Sequence, residues 1–412
     1  MAAPPVALYV HVPFCISLCP YCDFVVYAGA AARGPRSRVD AFLEALLAEL
    51  ELRADATDAR FGPPGTAGRT PLETVYLGGG TPTLLSTATI SALLARVRAR
   101  FGVAPGAEMT IESNPGPDER GDARALAEAG ITRVSLGAQS MDAAVLRGLG
   151  RRHRPGDVSD AVREARAGGI ASVSVDLLYD VAGQSLATWR STLDEVLGLL
   201  PDHVSAYGLT LDDPDAEGLT GPAGDHLPTR AGARRWRTAA RAGQDEDRAA
   251  AQYGLAVERL AAAGFRGYEI SNWARPGHES RHNLAYWTRR PYEALGPGAH
   301  AFDGAVRRWN AARLEGYLAA LRPSNGTAPS LPPGGSEAID PATAAAERTI
   351  LALRLDTGLA EDEALRGPLA PHLDLGFGEG LLEQSGGVPP TARIRLTTAG
   401  RLLSNELFAR LL

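Results

Sequence analysis

One pattern repeats through the first half of the chain and constrains the fold more than any other feature. Short runs rich in β-branched residues alternate with longer segments of helical spacing, from residue 6 to about residue 210. The candidate strands are VALYVHV (6–12), ETVYLGG (73–79), EMTIESN (108–114), RVSLGA (133–138), SVSVDLLY (172–179) and HVSAYGLT (203–210). This alternation is typical of parallel βαβ units. Six units are too few for a closed eight-fold barrel, so we expect an α/β fold, either an open (β/α)6 partial TIM-type barrel or a doubly wound sheet.

The composition excludes several classes of protein. The chain has 412 residues, of which 45% are hydrophobic and 22% charged, and its net charge is −6. A negative balance argues against nucleic acid as the main partner, because proteins that bind nucleic acid concentrate positive charge. The sequence has no apolar run of about 18 residues, and its first residues lack the pattern of a secretory signal. We therefore expect a cytoplasmic location.

Two segments, 211–247 and 322–344, interrupt the alternation and suggest a division into four parts. Residues 322–344 are rich in Pro, Gly and Ser and are expected to form a linker. The segment after it, 345–412, predicts a small, mainly helical domain with a strand, of winged-helix-like type. Before the linker, residues 1–247 are assigned to the barrel core with the cysteine loop, and residues 248–321 to a segment that completes the barrel.

All three cysteines of the chain lie in CISLCPYC (15–22), directly after the first predicted strand. The CxxxCxxC spacing brings three thiolates together without requiring a fourth protein ligand. An iron–sulfur cubane fits this spacing, because such clusters are held by cysteine thiolates and can leave one iron free. A zinc site completed by His11, Asp23 or a distant histidine is the main alternative. The odd number of cysteines argues against a disulfide framework.

Five further segments follow the cysteine loop in an order that resembles the porphyrin-related branch of the radical S-adenosylmethionine superfamily. These segments are LGGGTPT (77–83), IESNPG (111–116), SLGAQS (135–140), LGRRH (149–153) and VDLLY (175–179). The resemblance favours the open barrel over the doubly wound sheet. It also implies a [4Fe-4S] cluster on Cys15, Cys19 and Cys22, with S-adenosyl-L-methionine bound at the free iron.

The same resemblance implies which residues bind S-adenosylmethionine. Arginine offers a fork for the cofactor carboxylate, and glutamate and aspartate accept hydrogen bonds from the ribose hydroxyls or the α-ammonium group. The absence of side chains in the glycine segment allows the backbone to approach the methionine end, and Tyr21 is expected to pack against adenine. The implied residues are Tyr9, Tyr21, Gly79, Gly80, Thr81, Glu112, Gln139, Arg151 and Asp176.

Within this branch the chain resembles the heme chaperones more closely than the oxygen-independent coproporphyrinogen III oxidases. The oxidases have a fourth cysteine two positions after the third, where this chain has Phe24. They also have an extension before the cluster loop, whereas Cys15 follows only fourteen residues here. HNLAYW (282–287) matches the HNxxYW motif associated with the chaperone group. The implied function is delivery of heme to acceptor proteins; the alternatives are oxidative decarboxylation of coproporphyrinogen III and a zinc-stabilised binding protein.

The HNLAYW motif supplies the candidate heme residues His282, Tyr286 and Trp287. Histidine and tyrosine are known axial ligands of heme, and tryptophan offers a broad apolar face. We expect His282 to be the ligand, with His278 as its competitor, and we expect the motif to lie outside the S-adenosylmethionine site. In the alternative interpretation the motif is structural, with His282 capping a turn and the aromatic residues packed at a domain junction.

The resemblance also carries expectations about partners, and the sequence departs from it in three places. The partners are heme and heme-accepting proteins, with respiratory cytochromes and membrane-bound acceptors among the candidates, and a dimer is a further expectation. Asp180 and Ala182 stand where related sequences usually have Gly and Pro, LDDPDAEG (211–218) lacks the usual glutamate-proline-glycine turn, and AGARRWRTAARAG (231–243) resembles a local insertion.

Overall fold

The computed structural model of the chain describes residues 2–323, 326–386 and 392–411. Its strands are β1 (Ala7–Val12), β2 (Phe14–Cys15), β3 (Tyr27–Ala28), β4 (Leu72–Gly79), β5 (Val103–Ser113), β6 (Arg133–Gln139), β7 (Ser172–Tyr179), β8 (His203–Gly208), β9 (Arg266–Gly267), β10 (Asn272–Ala274), β11 (Tyr292–Leu295), β12 (His300–Phe302), β13 (Val306–Asn310), β14 (Gly334–Ala338), β15 (Leu359–Ala360), β16 (Leu382–Ser385) and β17 (Arg393–Leu396).

Helices separate most of these strands along the chain. They are α1 (Val39–Phe61), α2 (Thr87–Phe101), α3 (Ala123–Ala129), α4 (Ala143–Gly148), α5 (Pro155–Ala167), α6 (Leu186–Gly198), α7 (Ala231–Arg241), α8 (Glu246–Ala262), α9 (Arg281–Trp287), α10 (Leu314–Leu321), α11 (Pro341–Arg354), α12 (Glu361–Arg366), α13 (Leu373–Gly378), α14 (Thr398–Leu402) and α15 (Ser404–Phe408). None of them is long and apolar enough to cross a membrane, as far as the described residues go.

The six predicted strands form the centre of the sheet and confirm the open barrel. Strands β1, β4, β5, β6, β7 and β8 lie side by side in that order, and each pair is parallel. They are buried almost continuously, as expected for parallel strands that are covered on both faces. The sheet ends at β14 on one side and at β9 on the other, so the barrel does not close.

Local signals set the ends of the helices between these strands. The side chains of Ser86, Asp122 and Ser185 each accept a hydrogen bond from a backbone N–H in the first turn of α2, α3 and α6. Such caps satisfy donors that have no partner within the helix. Helix α3 ends at Gly130, which has the left-handed conformation that glycine adopts without a steric penalty.

The segment 248–321 adds strands to both edges of the central sheet. Strand β10 pairs with β8, and β11 pairs in parallel with β1 and continues into the antiparallel strands β12 and β13. The predicted linker 322–344 differs from a structureless connection, because β14 pairs with β13 over five residues. A Cβ atom at Gly335 would lie 2.2 Å from the ring of Trp309, so the glycine that suggested a linker instead permits close pairing.

The C-terminal part has its own small core and more strand than predicted. Strands β15, β17 and β16 form a separate antiparallel sheet, with helices α11 to α15 around it. Its buried residues include Leu353, Leu382, Ile394 and Phe408. Parts of the predicted division lie outside the described residues, namely 1, 324–325, 387–391 and 412. The division into four parts stays a prediction.

Asp180, which follows β7, has a left-handed backbone with φ 56°. This conformation is easy for glycine and costly for most other residues. Here the Asp180 carboxylate accepts a hydrogen bond of 2.7 Å from Arg248, and its backbone N–H donates to Gln252 at 2.9 Å. These contacts hold the loop after β7 in place.

Candidate functional site

A cavity of about 810 Å³ lies inside the barrel. The cysteine loop, which follows the carboxyl end of β1, lines one part of it, and helix α9 lines another. Helix α9 lies at the amino ends of the strands, because His282 contacts Thr74, which is paired with Ala7 at the start of β1. The volume falls within the range of roughly 300–1,000 Å³ that is usual for ligand pockets. One cavity therefore extends from the cysteine loop to α9.

The three cysteines are free thiols that line this cavity. The hydroxyl of Thr81 donates to the Sγ atom of Cys15 at 3.5 Å, and the guanidinium of Arg151 donates to Cys19 Sγ at 3.7 Å. Burial raises the pKa of the Cys15 thiol to about 11 and that of Cys22 further still. Because thiolates are the form that binds metal, these thiols require a compensating positive charge to ionise.

The surroundings of the loop do not resemble a site for one metal ion. Within residues 2–323, 326–386 and 392–411, no three histidine, cysteine, aspartate or glutamate side chains converge as one ion would require. His11, the candidate fourth ligand of a zinc site, uses both ring nitrogens. Its Nε2 donates to the carbonyl of Val25 at 2.8 Å, and its Nδ1 accepts from Tyr9 at 3.0 Å. Burial lowers the pKa of His11 to about 4, so the ring is neutral at pH 7.

Glu112, near the carboxyl end of β5, is held by two donors. The hydroxyl of Tyr76 donates to it at 2.7 Å, and the backbone N–H of Gly79 donates at 2.8 Å. Burial nevertheless raises the pKa of Glu112 to about 7, with a smaller contribution from the charge of Asp176. The carboxyl group therefore titrates close to neutral pH in the absence of a bound cation.

Asp176 on β7 lies in a ring of serine hydroxyls. Ser205 donates to it at 2.7 Å, Ser135 at 3.0 and 2.9 Å, and Ser174 at 3.2 Å. Burial raises the pKa of Asp176, and the three hydroxyl donors oppose this effect. The arrangement presents a fixed hydrogen-bond acceptor in the middle of the barrel.

Arg151 connects the cysteine loop to the strand ends. Besides Cys19, its guanidinium donates to the Oδ1 atom of Asn114 at 2.5 Å and to the carbonyl of Gly137 at 2.6 Å. Its Nε atom is buried and finds no acceptor among the residues that the structure describes. Gln139, at the end of β6, adopts a left-handed backbone with φ 66° and lines the same cavity.

The glycine segment at the end of β4 packs tightly against other parts of the chain. A Cβ atom at Gly79 would lie 2.4 Å from the ring of His11, and one at Gly80 would lie 2.5 Å from the carbonyl oxygen of Phe14. From the sequence, these glycines are expected to allow the approach of a cofactor. The structure provides a second reason, because the strand that leads into the cysteine loop packs directly on them.

Helix α9 places its histidine inside the barrel. The Nδ1 atom of His282 lies 2.8 Å from Thr74 Oγ1, and its Nε2 lies 2.8 Å from the hydroxyl of Tyr286. The rings of His282 and Tyr76 are 5.0 Å apart, and Tyr76 binds Glu112. The expectation that the motif lies outside the cofactor residues is therefore wrong, because the amino-terminal end of the barrel opens into the same cavity.

Comparison with known proteins gives the family. The sequence profile of the Radical SAM superfamily matches residues 9–196. The heme chaperone HemW of Mycobacterium tuberculosis (strain ATCC 25618 / H37Rv) is 38% identical over 419 residues, which cover 100% of this chain and 96% of the relative. The chain belongs to the HemW family. The HemW of Bacillus subtilis (strain 168) is 29% identical and is matched over 98% of both chains.

A solved structure outside the HemW family has the same fold. Coproporphyrinogen III oxidase (HemN) from Escherichia coli superposes with a TM-score of 0.77 over 99% of this chain and 90% of that chain. The two sequences are 23% identical, so the likeness shows the fold alone.

The structure brings most, but not all, of the sequence-predicted site residues together in this cavity. All the implied cofactor residues except Thr81 line the cavity. Thr81 lies behind Cys15 and accepts a hydrogen bond from Asn114 at 2.9 Å. His282 and Tyr286 line the cavity, but Trp287 does not; its ring packs under Arg354, with 4.5 Å from the guanidinium carbon to the ring centroid.

The competitor His278 lies elsewhere. It hydrogen bonds to Ser172, the first residue of β7, at 3.1 Å and does not line the cavity. Sequence reasoning also missed Tyr76, Ser135 and Ser205, although each stands on a predicted strand. Their alternation with buried apolar neighbours was the available signal, since inward-facing positions of a strand recur every second residue.

Proposed function

We propose that this protein binds heme and delivers it to acceptor proteins, and that it carries a [4Fe-4S] cluster and an S-adenosylmethionine site. The observation that carries the proposal is the single cavity that joins the cysteine loop to the HNLAYW helix. The HemW relatives, which are named heme chaperones, match the full chain and support the same function. The cytoplasmic location, the dimer and the identity of the acceptors, respiratory cytochromes and membrane-bound proteins included, stay predictions.

The cysteine loop fits a cluster better than a single ion. Cys15, Cys19 and Cys22 line one cavity. Among the described residues, however, no three histidine, cysteine, aspartate or glutamate side chains lie close enough together to bind one metal ion. A cubane places each thiolate on a different iron, whereas a structural zinc site needs four ligands around one point. Donors to sulfur from Thr81 and Arg151 are the kind of contact that tunes such clusters.

The polar groups around the cavity fit S-adenosylmethionine. Glu112 offers a carboxylate for the α-ammonium group, and ionisation near pH 7 makes that pairing available. Arg151 suits the cofactor carboxylate, and Asp176 suits ribose hydroxyls. When bound, the cluster supplies electron transfer and one iron with a free position. The protein residues hold and orient the cofactor.

Heme binding at α9 requires a change in the helix. Both nitrogens of His282 already have partners, and its side chain is 1% exposed. To bind heme iron, His282 must give up the contact with Tyr286 or with Thr74. We therefore propose that α9 moves when heme binds, with His282 as the axial ligand.

A heme-transfer assay tests the function. Anaerobically reconstituted protein is titrated with heme, and the heme-loaded protein is then mixed with an apo-form heme protein while the Soret band of the acceptor is followed. We expect stoichiometric binding followed by transfer. A protein that binds no heme, or that never releases it, would contradict the proposal.

The oxidase alternative is tested in the same preparation. At the position of the oxidases' fourth cysteine stands Phe24, a side chain that is 61% exposed. We expect no conversion of coproporphyrinogen III when S-adenosylmethionine and a reductant are added. Multiple turnovers of decarboxylation would replace the chaperone proposal with the oxidase.

A further inference from the structure

Helix α7, whose sequence resembles a local insertion, is largely exposed but buries one arginine. Arg237 is 6% exposed, and of the other residues of the helix only Ala240 is buried. Burying a guanidinium is costly unless its donors are satisfied. A buried arginine on an exposed helix therefore marks a contact that the helix is built to make.

Arg237 makes that contact with the cysteine loop. Its Nε donates to the carbonyl of Pro20 at 3.2 Å, and its Nη2 donates to the carbonyls of Tyr21 at 3.3 Å and Cys22 at 3.0 Å. Its Nη1 donates to the carbonyl of Asp212. All four acceptors are neutral backbone oxygens, so the positive charge of Arg237 is not cancelled by the groups it binds.

Trp236, the residue before Arg237, connects the cysteine loop to the turn that carries Arg151. The ring of Trp236 lies 6.4 Å from that of Tyr21, and its Nε1 donates to the carbonyl of Gly148 at 3.0 Å. The turn itself touches the loop, because a Cβ atom at Gly150 would lie 2.9 Å from Pro20 Cδ. Helix α7 thus holds both sides of the contact between Arg151 and Cys19.

We propose that Arg237 is a positioning residue that fixes the segment between the second and third cysteines in the conformation that binds the cluster. The inference rests on the proposal that Cys15, Cys19 and Cys22 hold a [4Fe-4S] cluster. A guanidinium can bridge several carbonyls because its five N–H donors have a fixed planar geometry, which a lysine ammonium lacks. Its charge also lies beside a thiolate-rich cluster, and local charge is one of the factors that set cluster potentials.

The test compares wild type with Arg237→Gln, Arg237→Lys and the matched control Arg234→Gln. Arg234 is on the same helix, is 52% exposed and pairs with Asp215 at 2.5 Å. Each protein is reconstituted anaerobically. Iron and sulfide content, the rate of cluster loss in air and the midpoint potential are measured, and circular dichroism monitors the fold.

We expect Arg237→Gln to lose its cluster roughly tenfold faster in air, as for other residues that support metal ligands. It should also shift the midpoint potential to a more negative value. Arg237→Lys keeps the positive charge but lacks the planar set of N–H donors of a guanidinium. We therefore expect rapid cluster loss with a midpoint potential close to that of wild type. Arg234→Gln should match wild type in both.

Two results would overturn the inference. One is an Arg237→Lys protein, folded like wild type, whose cluster is as stable in air as the wild-type cluster. The other is equal loss in Arg237→Gln and Arg234→Gln, which would assign the effect to the helix as a whole. A wild-type protein that takes up no iron and sulfide would instead refute the proposed cluster itself.

Discussion

The hydroxyl group of Tyr76 donates a hydrogen bond of 2.7 Å to the carboxyl group of Glu112. The ring of the same tyrosine also contacts helix α9, since its centre lies 5.0 Å from that of the His282 ring. One side chain therefore contacts both the proposed S-adenosylmethionine site and the proposed heme ligand. A change in the charge of Glu112 acts directly on the tyrosine against which His282 packs.

Glu112 should make the stability of the ligand-free protein depend on pH. Burial raises its pKa from 4.5 to about 7, so the folded protein holds a proton that the unfolded chain has already lost. The contribution of the neutral carboxyl group is fully present below pH 4.5 and is lost as the pH rises through 7. At about 1.4 kcal/mol per pH unit, the loss is up to about 3 kcal/mol, and less where water in the cavity solvates the carboxylate.

Glu112→Gln removes this titration. We expect the variant to be more stable than wild type in urea at pH 8, to show a much smaller difference at pH 5, and to bind S-adenosylmethionine more weakly. Glu258→Gln, on the exposed face of α8, is the control and should leave both properties unchanged. Equal stability differences at the two pH values would contradict the assignment of the raised pKa.

Cys19→Ala should abolish the cluster. Cys19 is the thiol that receives the hydrogen bond from Arg151, and two remaining thiolates cannot hold a cubane at three irons. After anaerobic reconstitution we expect iron, sulfide and the brown absorbance to fall to background together. Ser17→Ala is the control. Ser17 belongs to the same loop and lines the cavity but has no thiol, so this variant should keep the cluster. An unchanged chromophore in Cys19→Ala, or stoichiometric zinc without sulfide in wild type, would contradict this prediction.

Tyr286→Phe should distinguish the two candidate heme ligands. The Tyr286 hydroxyl lies 2.8 Å from His282 Nε2, so its removal frees a nitrogen that can bind iron. Burial raises the pKa of Tyr286 well above its ordinary value, which disfavours the phenolate that iron would need. We therefore expect heme to bind to Tyr286→Phe at least as tightly as to wild type, with an unchanged Soret band.

His282→Ala completes that experiment. Loss of the axial ligand should weaken heme binding at least about tenfold, or 1.4 kcal/mol, and shift the Soret band. His278→Ala serves as the control, because His278 contacts Ser172 outside the cavity. If Tyr286→Phe loses heme and His282→Ala retains it, the ligand is the tyrosine; if both retain it, the motif is structural.

The sequence predicted the central strands well because their order along the chain is also their order in the sheet. The runs of buried apolar residues carry that information locally. Contacts between distant elements carry no such signal. His282 meets Thr74 across 208 residues, and Arg237 meets Cys22 across 215 residues. The inward position of α9 and the contact of α7 with the cysteine loop therefore appeared only in the three-dimensional structure.

Variants of Asp180 should separate backbone strain from ion pairing in the loop after β7. With φ 56°, Asp180 pays a steric cost of about 1 kcal/mol that glycine avoids. Its partly buried ion pair with Arg248, 2.7 Å long, offsets that cost. Asp180→Gly loses the ion pair but also the strain, so we expect its free energy of unfolding to lie within about 1 kcal/mol of wild type.

Asp180→Ala loses the ion pair and keeps the strain, and we expect it to be about 1–2 kcal/mol less stable than wild type. Urea unfolding of both variants checks the prediction, with Arg248→Met to remove the ion pair together with the hydrogen bond from Arg248 to the carbonyl of Gly243. It fails if the alanine variant is as stable as the glycine variant, because the left-handed backbone would then carry no measurable cost.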